Sequence, residues 1–110
     1  MTEKLSTRKP GPIAKKIWAR ESFRTNGALK GVAKPEWIDF GMMSLEDFYT
    51  LHDDKRAYGI DYVIYSYNTP IAWLSNKDGG TWTMPEAGYS VTTKRHKATI
   101  CAALQRQRDD

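Results

Sequence analysis

The stretch YVIYSYNTPIAWL, Tyr62–Leu74, decides how this chain is read. Aromatic and β-branched residues crowd both sides of Asn68-Thr69-Pro70, the pattern of two antiparallel strands joined by a tight connection. In the first strand, spanning Asp61–Tyr67, Val63, Tyr65 and Tyr67 share one face and Tyr62, Ile64 and Ser66 the other. Ile71–Ser75 returns as the second strand, and Asn76–Gly80 is a polar hairpin loop leading to a third, Thr81–Met84. Pro85 ends that strand because it cannot donate to a ladder, and Tyr89–Val91 reads as a brief edge strand.

The elements on either side complete a small α+β domain. Thr92 or Thr93 caps a last helix running to about Gln105, with His96, Ile100 and Leu104 spaced four apart to cover the sheet. Upstream, Ser44-Leu45-Glu46-Asp47 opens a central helix in capping-box fashion, and Gly59 stops it. Its Leu45, Phe48, Tyr49 and His52 recur at helical spacing as one apolar face. Lys34–Gly41 is an extended connection whose Trp37, Ile38 and Phe40 should pack under that helix. Asn26-Gly27 predicts a two-residue turn between Ser22–Thr25 and Ala28–Val32. Pro12–Arg20 is a short helix docked through Ile17 and Trp18. The expected fold is an antiparallel sheet made of an N-terminal hairpin and a three- to four-stranded meander. A C-terminal helix covers it, with a central helix and a short N-terminal one. Residues 1–11 read as a flexible basic arm and residues 12–110 as the domain.

Composition narrows the class. A chain of 110 residues with 40% hydrophobic content and four Trp has enough apolar mass to fold around one core. Cys101 is the sole cysteine, which leaves no intramolecular disulfide and no thiolate metal cluster and fits a reducing cytoplasm. No apolar run has the length of a signal peptide or a membrane span, so a cytosolic protein is expected. Charge is unevenly spread. Residues 1–34 hold nine Lys/Arg against two Glu, a net +7, and residues 35–62 hold seven acids against two bases, a net −5. The basic arm can meet phosphates, or lie on the acidic middle of its own or a neighbouring chain.

YSYNTPIAW (Tyr65–Trp73), followed by Trp82, Pro85 and YSVTTKRH (Tyr89–His96), resembles a group of small uncharacterised accessory proteins of actinobacterial bacteriophages. The shared pattern is Tyr-Ser-Tyr-x-Thr-Pro-Ile-Ala-Trp and Tyr-Ser-Val-Thr-Thr-x-x-His, and it covers the last third to half of the chain. Asn68 stands where Gly is more usual in that pattern. The resemblance implies a phage-encoded protein acting in the cytoplasm of a bacterial host, without implying a mechanism.

Two clusters carry the functional expectations. Thr92, Thr93, Lys94, Arg95 and His96 at a helix start could bind a phosphate or carboxylate. The structural alternative is one Thr as a cap, two solvated cations and His96 hydrogen-bonded in the core. Tyr65, Tyr67 and Tyr89 could stack bases if a sheet face is open, whereas Trp73 and Trp82 read as packing. Lys9, Lys15, Lys16 and Arg20 form the basic arm and first helix. Catalysis finds no phosphate loop, nucleophile elbow or metalloprotease motif, and Cys101 and His96 sit too far apart around a helix to pair. His52 beside Asp53 and Asp54 lacks metal-ligand spacing. The expectation is therefore non-enzymatic, without cofactor or metal. It is a phage accessory protein that binds a host macromolecule, foremost a host protein. Nucleic-acid binding through the arm and the Thr92–His96 helix start is the alternative, and homo-oligomerisation a third.

Overall fold

In the computed structural model, which describes residues 4–5, 10–25, 27–85 and 91–108, Tyr62–Leu74 supplies two neighbouring inner strands of a six-stranded sheet. The elements in chain order are β1 (Lys4–Leu5), α1 (Pro10–Trp18), β2 (Phe23–Thr25), β3 (Leu29–Ala33), α2 (Leu45–Ala57), β4 (Ile60–Ser66), β5 (Thr69–Ser75), β6 (Thr81–Thr83) and α3 (Val91–Arg108). Strand order follows chain order. β2 to β6 are antiparallel, and β1 adds to the β2 edge in parallel. This is the α+β fold expected from the sequence, with all three helices.

Two turns differ from expectation by one residue. The β4–β5 connection is the pair Tyr67-Asn68, with φ of 52° and 62°, so Ser66 already faces Thr69 and Tyr65 faces Pro70. Both residues take positive φ, as a two-residue hairpin turn requires, and Asn tolerates it well. Pro70 lies beyond the reach of β6, which pairs only with Trp73–Ser75. With one strand neighbour there, a residue lacking N–H is tolerated. The register then slips between Ile64↔Ala72 and Tyr65↔Pro70, leaving Ile71 as a bulge that joins Ala72 in the same core cluster. In the first hairpin, Phe23 faces Gly31 and Arg24 faces Lys30, which centres the turn on Gly27 instead of on Asn26-Gly27. Thr25 holds it, its Oγ1 donating to the Leu29 carbonyl at 2.6 Å and accepting from the Gly27 N–H at 3.2 Å. Asn26 lies outside the described residues.

Both sheet faces are occupied, one more fully than the other. On the first, α1 and α3 bury Ile13, Ala14, Ile17 and Ile100 against Phe23, Leu29, Tyr62, Ile64 and Leu74. Each such aliphatic side chain contributes about 1.5–3 kcal/mol. Gly31 permits this packing, because a Cβ there would run into the Phe23 ring and the Tyr62 hydroxyl. On the second face, Leu51 of α2 and Ile38 pack on Val63, Tyr65 and Trp73 of β4 and β5. The split of Tyr62, Ile64 and Ser66 from Val63 and Tyr65 matches the alternation read from the sequence.

Element ends shift by small amounts. Lys4–Leu5 pair with Arg24 and Thr25, and Pro10 and Gly11 already belong to α1, so parts of the expected arm lie in regular elements. α1 ends at Trp18, and α3 extends to Arg108, past the expected Gln105. Tyr89 and Ser90, expected in an edge strand, lie outside the described residues, while Val91 is helical.

Candidate functional site

α2 is where position and chemistry diverge most from expectation. Ser44 caps the helix, its Oγ accepting from the Asp47 N–H at 3.2 Å. Glu46 and Asp47 in the first turn and Lys55 and Arg56 in the last complement the helix dipole. The apolar face read as Leu45, Phe48, Tyr49 and His52 does not point into the core. Leu45 is 67% exposed and Tyr49 55%, and Leu51 is the helix's one fully buried anchor. A second contact fixes this rotation: the Trp73 indole N–H donates to Asp54 Oδ2 at 2.9 Å. A hydrogen bond to a carboxylate is among the stronger ones a fold can use, at about 1.5–3 kcal/mol. Leu51 and Asp54, three apart, therefore face inward, and the stripe beginning at Leu45 faces out.

Aromatic contacts tie this stripe to the segment before it. Phe48 meets Phe40 edge-on at 4.6 Å, Tyr49 at 5.6 Å, and stacks on His52 at 5.9 Å. Met42, two residues before the cap, is 81% exposed. Gly41, at φ 53°, turns the chain close under the Tyr67-Asn68 hairpin, where a Cβ would strike the Asn68 carbonyl and Thr69. The Met42 N–H donates to Thr69 Oγ1 at 2.9 Å. Trp37, expected beneath α2, is exposed instead, because Ile38 and Phe40 take the inward positions.

Within Thr92–His96, the two residues whose side chains are described, Arg95 and His96, sit in different environments. α3 starts at Val91, so Thr92 and Thr93 lie within its first turn and do not cap it. The side chains of Thr92, Thr93 and Lys94, and all of Tyr89 and Lys9, lie outside the described ones. Arg95 is exposed, whereas His96 is buried and shares a 2.7 Å hydrogen bond between Nδ1 and Ser66 Oγ. Burial lowers the His96 pKa and favours the neutral ring. The Tyr67 ring, whose residue is half exposed, sits 6.2 Å from it. This is the core role for His96 that the sequence left open beside a binding one.

The tyrosines separate likewise. Tyr65 is buried and unavailable for base stacking, its hydroxyl accepting from the Asp39 N–H at 3.3 Å. Burial raises its pKa, and the Lys30 ammonium lies 5.2 Å from its ring centre. Tyr62, on the other face, donates to the Glu21 carbonyl at 2.6 Å, and burial raises its pKa strongly. Trp73 is fully buried and Trp82 partly so, meeting Tyr62 edge-on, as packing residues should.

The basic residues near α1 are drawn onto the protein's own acids. Lys16 pairs with Glu21 at 3.3 Å and Arg20 with Asp61 at 3.7 Å, while Lys15 is exposed. Ile13 and Ile17 are buried against the sheet and α3, so α1 is docked on the core. Among the described residues no group of three His, Cys, Asp or Glu could hold a metal ion, and no described helix is long and apolar enough to cross a membrane.

Residues 15–109 match a family of unknown function, DUF8033. The chain belongs to that family. The match starts inside α1 and takes in β2 to β6, α2 and α3, so both cores and the outward stripe of α2 lie within the DUF8033 region. No curated protein and no solved structure matches the chain.

Proposed function

We propose that this chain is a non-enzymatic, phage-encoded accessory protein that binds a host protein in the bacterial cytoplasm, through the outward stripe of α2 and the segment before it. The observation that carries the reading is that Leu45 and Tyr49 on α2, with Met42 in the segment before it, are left uncovered although the helix is already anchored through Leu51 and Asp54. Large apolar side chains held together in solvent mark interaction surfaces more often than chance exposure does. Charge specifies the partner. Residues 35–54 carry Glu36, Asp39, Glu46, Asp47, Asp53 and Asp54 and no Lys or Arg. An acid-rimmed apolar surface repels phosphates and suits an apolar protein segment with a basic rim, as in a basic amphipathic helix.

Phage origin and the host cytoplasm rest on the resemblance of Tyr65–Trp73 and Tyr89–His96. The non-enzymatic reading draws support from the burial of Ser66 and His96, which keeps a hydrogen-bonded hydroxyl–imidazole pair out of substrate reach. Nucleic-acid binding through Lys16 and Arg20 is weakened by their pairing with Glu21 and Asp61.

The test compares the wild type with a Leu45→Ser/Tyr49→Ser double variant as bait in actinobacterial lysate. One partner retained by the wild type and by Lys15→Ala, and lost by the double variant, supports the reading. Equal capture by all three baits removes it. Concentration-dependent dimerisation abolished by the double variant would replace the host protein with a second copy.

A further inference from the structure

The second sheet face is covered over β4 and β5 but open beside β2 and β3, where two cations face each other. Arg24 on β2 faces Lys30 on β3, and Lys30 faces Tyr65 on β4. Residues in one cross-strand row share a face. Phe23 and Thr25 are buried on the helix-covered side, so Arg24 between them points to the open side and is exposed. Among the described residues no carboxylate pairs with Arg24 or Lys30. Like charges directly opposite across strands are destabilising on their own. Neighbouring strands lie about 4.8 Å apart, so the two positions fall within roughly 5 Å of each other along the backbone.

Two grooves meet at Lys30. The first, of about 330 Å3, is lined by Arg24, Gly27, Lys30, Tyr67 and Asn68, with no acid among its lining residues. Lys30 is fixed there by Asn68 Oδ1 at 3.1 Å and by the Tyr65 ring. The second, of about 350 Å3, runs from Lys30 over Val32 and Tyr65 to Lys34 and to Trp37, which is 69% exposed. Glu36 and Asp39 line the same groove.

We infer that the open half-sheet is a nucleotide-binding site. The phosphate lies on Arg24 and Lys30, and the base stacks on Trp37. The two grooves differ in charge, and that sets the direction: the first holds Arg24 and Lys30 with no acid, whereas in the second Glu36 and Asp39 offset Lys30 and Lys34. Their carboxylates are acceptors for an exocyclic amino group, so amino-bearing bases are favoured over thymine. Stacking on an exposed ring and cations on the backbone are the two terms by which single strands bind protein. The site uses none of Met42, Leu45 and Tyr49, shares only Glu36 and Asp39 with the acidic rim of that surface, and does not depend on the host-protein reading. The ligand is a nucleotide, either free or within a single strand.

Fluorescence anisotropy of labelled oligodeoxyadenylate with the full chain tests it, with unlabelled oligothymidylate, AMP and inorganic phosphate as competitors. Binding of the strand should weaken by about sevenfold between 50 and 200 mM salt, as release of counterions from two phosphate contacts predicts. Arg24→Ala/Lys30→Ala should cost at least about tenfold, since both charge-assisted phosphate contacts are lost. Trp37→Ala, at an exposed side chain that folding does not need, should erase the preference for adenylate over thymidylate. Lys15→Ala should change nothing. Competition by AMP at matched nucleotide concentration identifies a free nucleotide as the ligand, and binding of the strand without AMP competition identifies nucleic acid. The inference is overturned by no binding at 50 mM salt, by full displacement with inorganic phosphate at matched concentration, or by undiminished binding of a folded Arg24→Ala/Lys30→Ala variant.

Discussion

The two faces of the sheet are built to different ends. One is closed by α1 and α3 over Ile13, Ile17, Ile64, Ile71 and Ile100, with its polar side chains Ser66 and His96 joined to each other. The other is closed only over β4 and β5, by Leu51, Ile38 and one indole–carboxylate bond. Its remaining described surface is cationic at Arg24 and Lys30 of β2 and β3 and apolar with an acidic rim over α2. The difference teaches that burial on the first face provides most of the stability, which frees the second to display chemistry that burial would otherwise consume.

Substitutions should separate the faces by size of effect. Ile17→Ala on the closed face should cost about 2–5 kcal/mol in chemical denaturation, since a fully buried site with neighbours on all sides leaves a cavity. A loss below about 1 kcal/mol would mean that α1 is not part of the cooperative core. Trp73→Phe on the half-covered face should cost about 1–3 kcal/mol, because Asp54 loses its indole donor. Its mirror is Trp18→Phe: the Trp18 indole N–H is buried with no hydrogen-bond partner among the described residues. Removing an unsatisfied donor should leave stability unchanged or raise it, and thermal melts of the two variants side by side decide the contrast.

A pH dependence sharpens the same comparison. His96 has its pKa lowered by burial, so between the folded value and the ordinary 6.5 the unfolded chain binds more protons. Its contribution is fully present above about pH 6.5 and is lost as the pH falls below that value. The melting temperature of the wild type should therefore fall more steeply below this point than that of His96→Gln. Parallel curves would remove the buried imidazole from the account. The smallest stability effect belongs to Leu45→Ser/Tyr49→Ser, within about 0.5 kcal/mol of the wild type, because both side chains are already in solvent.

Much of the fold was legible because its signals are local. Alternation in Tyr62–Ser66, the Ser44 cap, the Gly59 stop and the spacing of Ile13 and Ile17 each depend on neighbours in sequence. Turn registers were less so. Tyr67 at φ 52° replaces the expected turn position of Thr69, and only the pairing of Ser66 with Thr69 reveals it. The candidate surfaces were least legible. Periodicity marked Leu45 and Tyr49 as one apolar face, but which side of a helix turns inward depends on a distant partner, here Trp73 reaching Asp54. The Arg24–Lys30 pair is invisible in one dimension, since its members lie on two strands brought together by register. The one available hint was the charge split, a net −5 over residues 35–62 against +7 over residues 1–34.

Site-specific photo-crosslinking tests the central proposal most directly, with a benzophenone side chain placed at Tyr49 or, separately, at exposed Lys15, in actinobacterial lysate. The account predicts one discrete adduct from position 49, suppressed by excess unlabelled wild type and not by Leu45→Ser/Tyr49→Ser, and no such adduct from position 15. Equal adducts from both positions, or none from position 49, would contradict it.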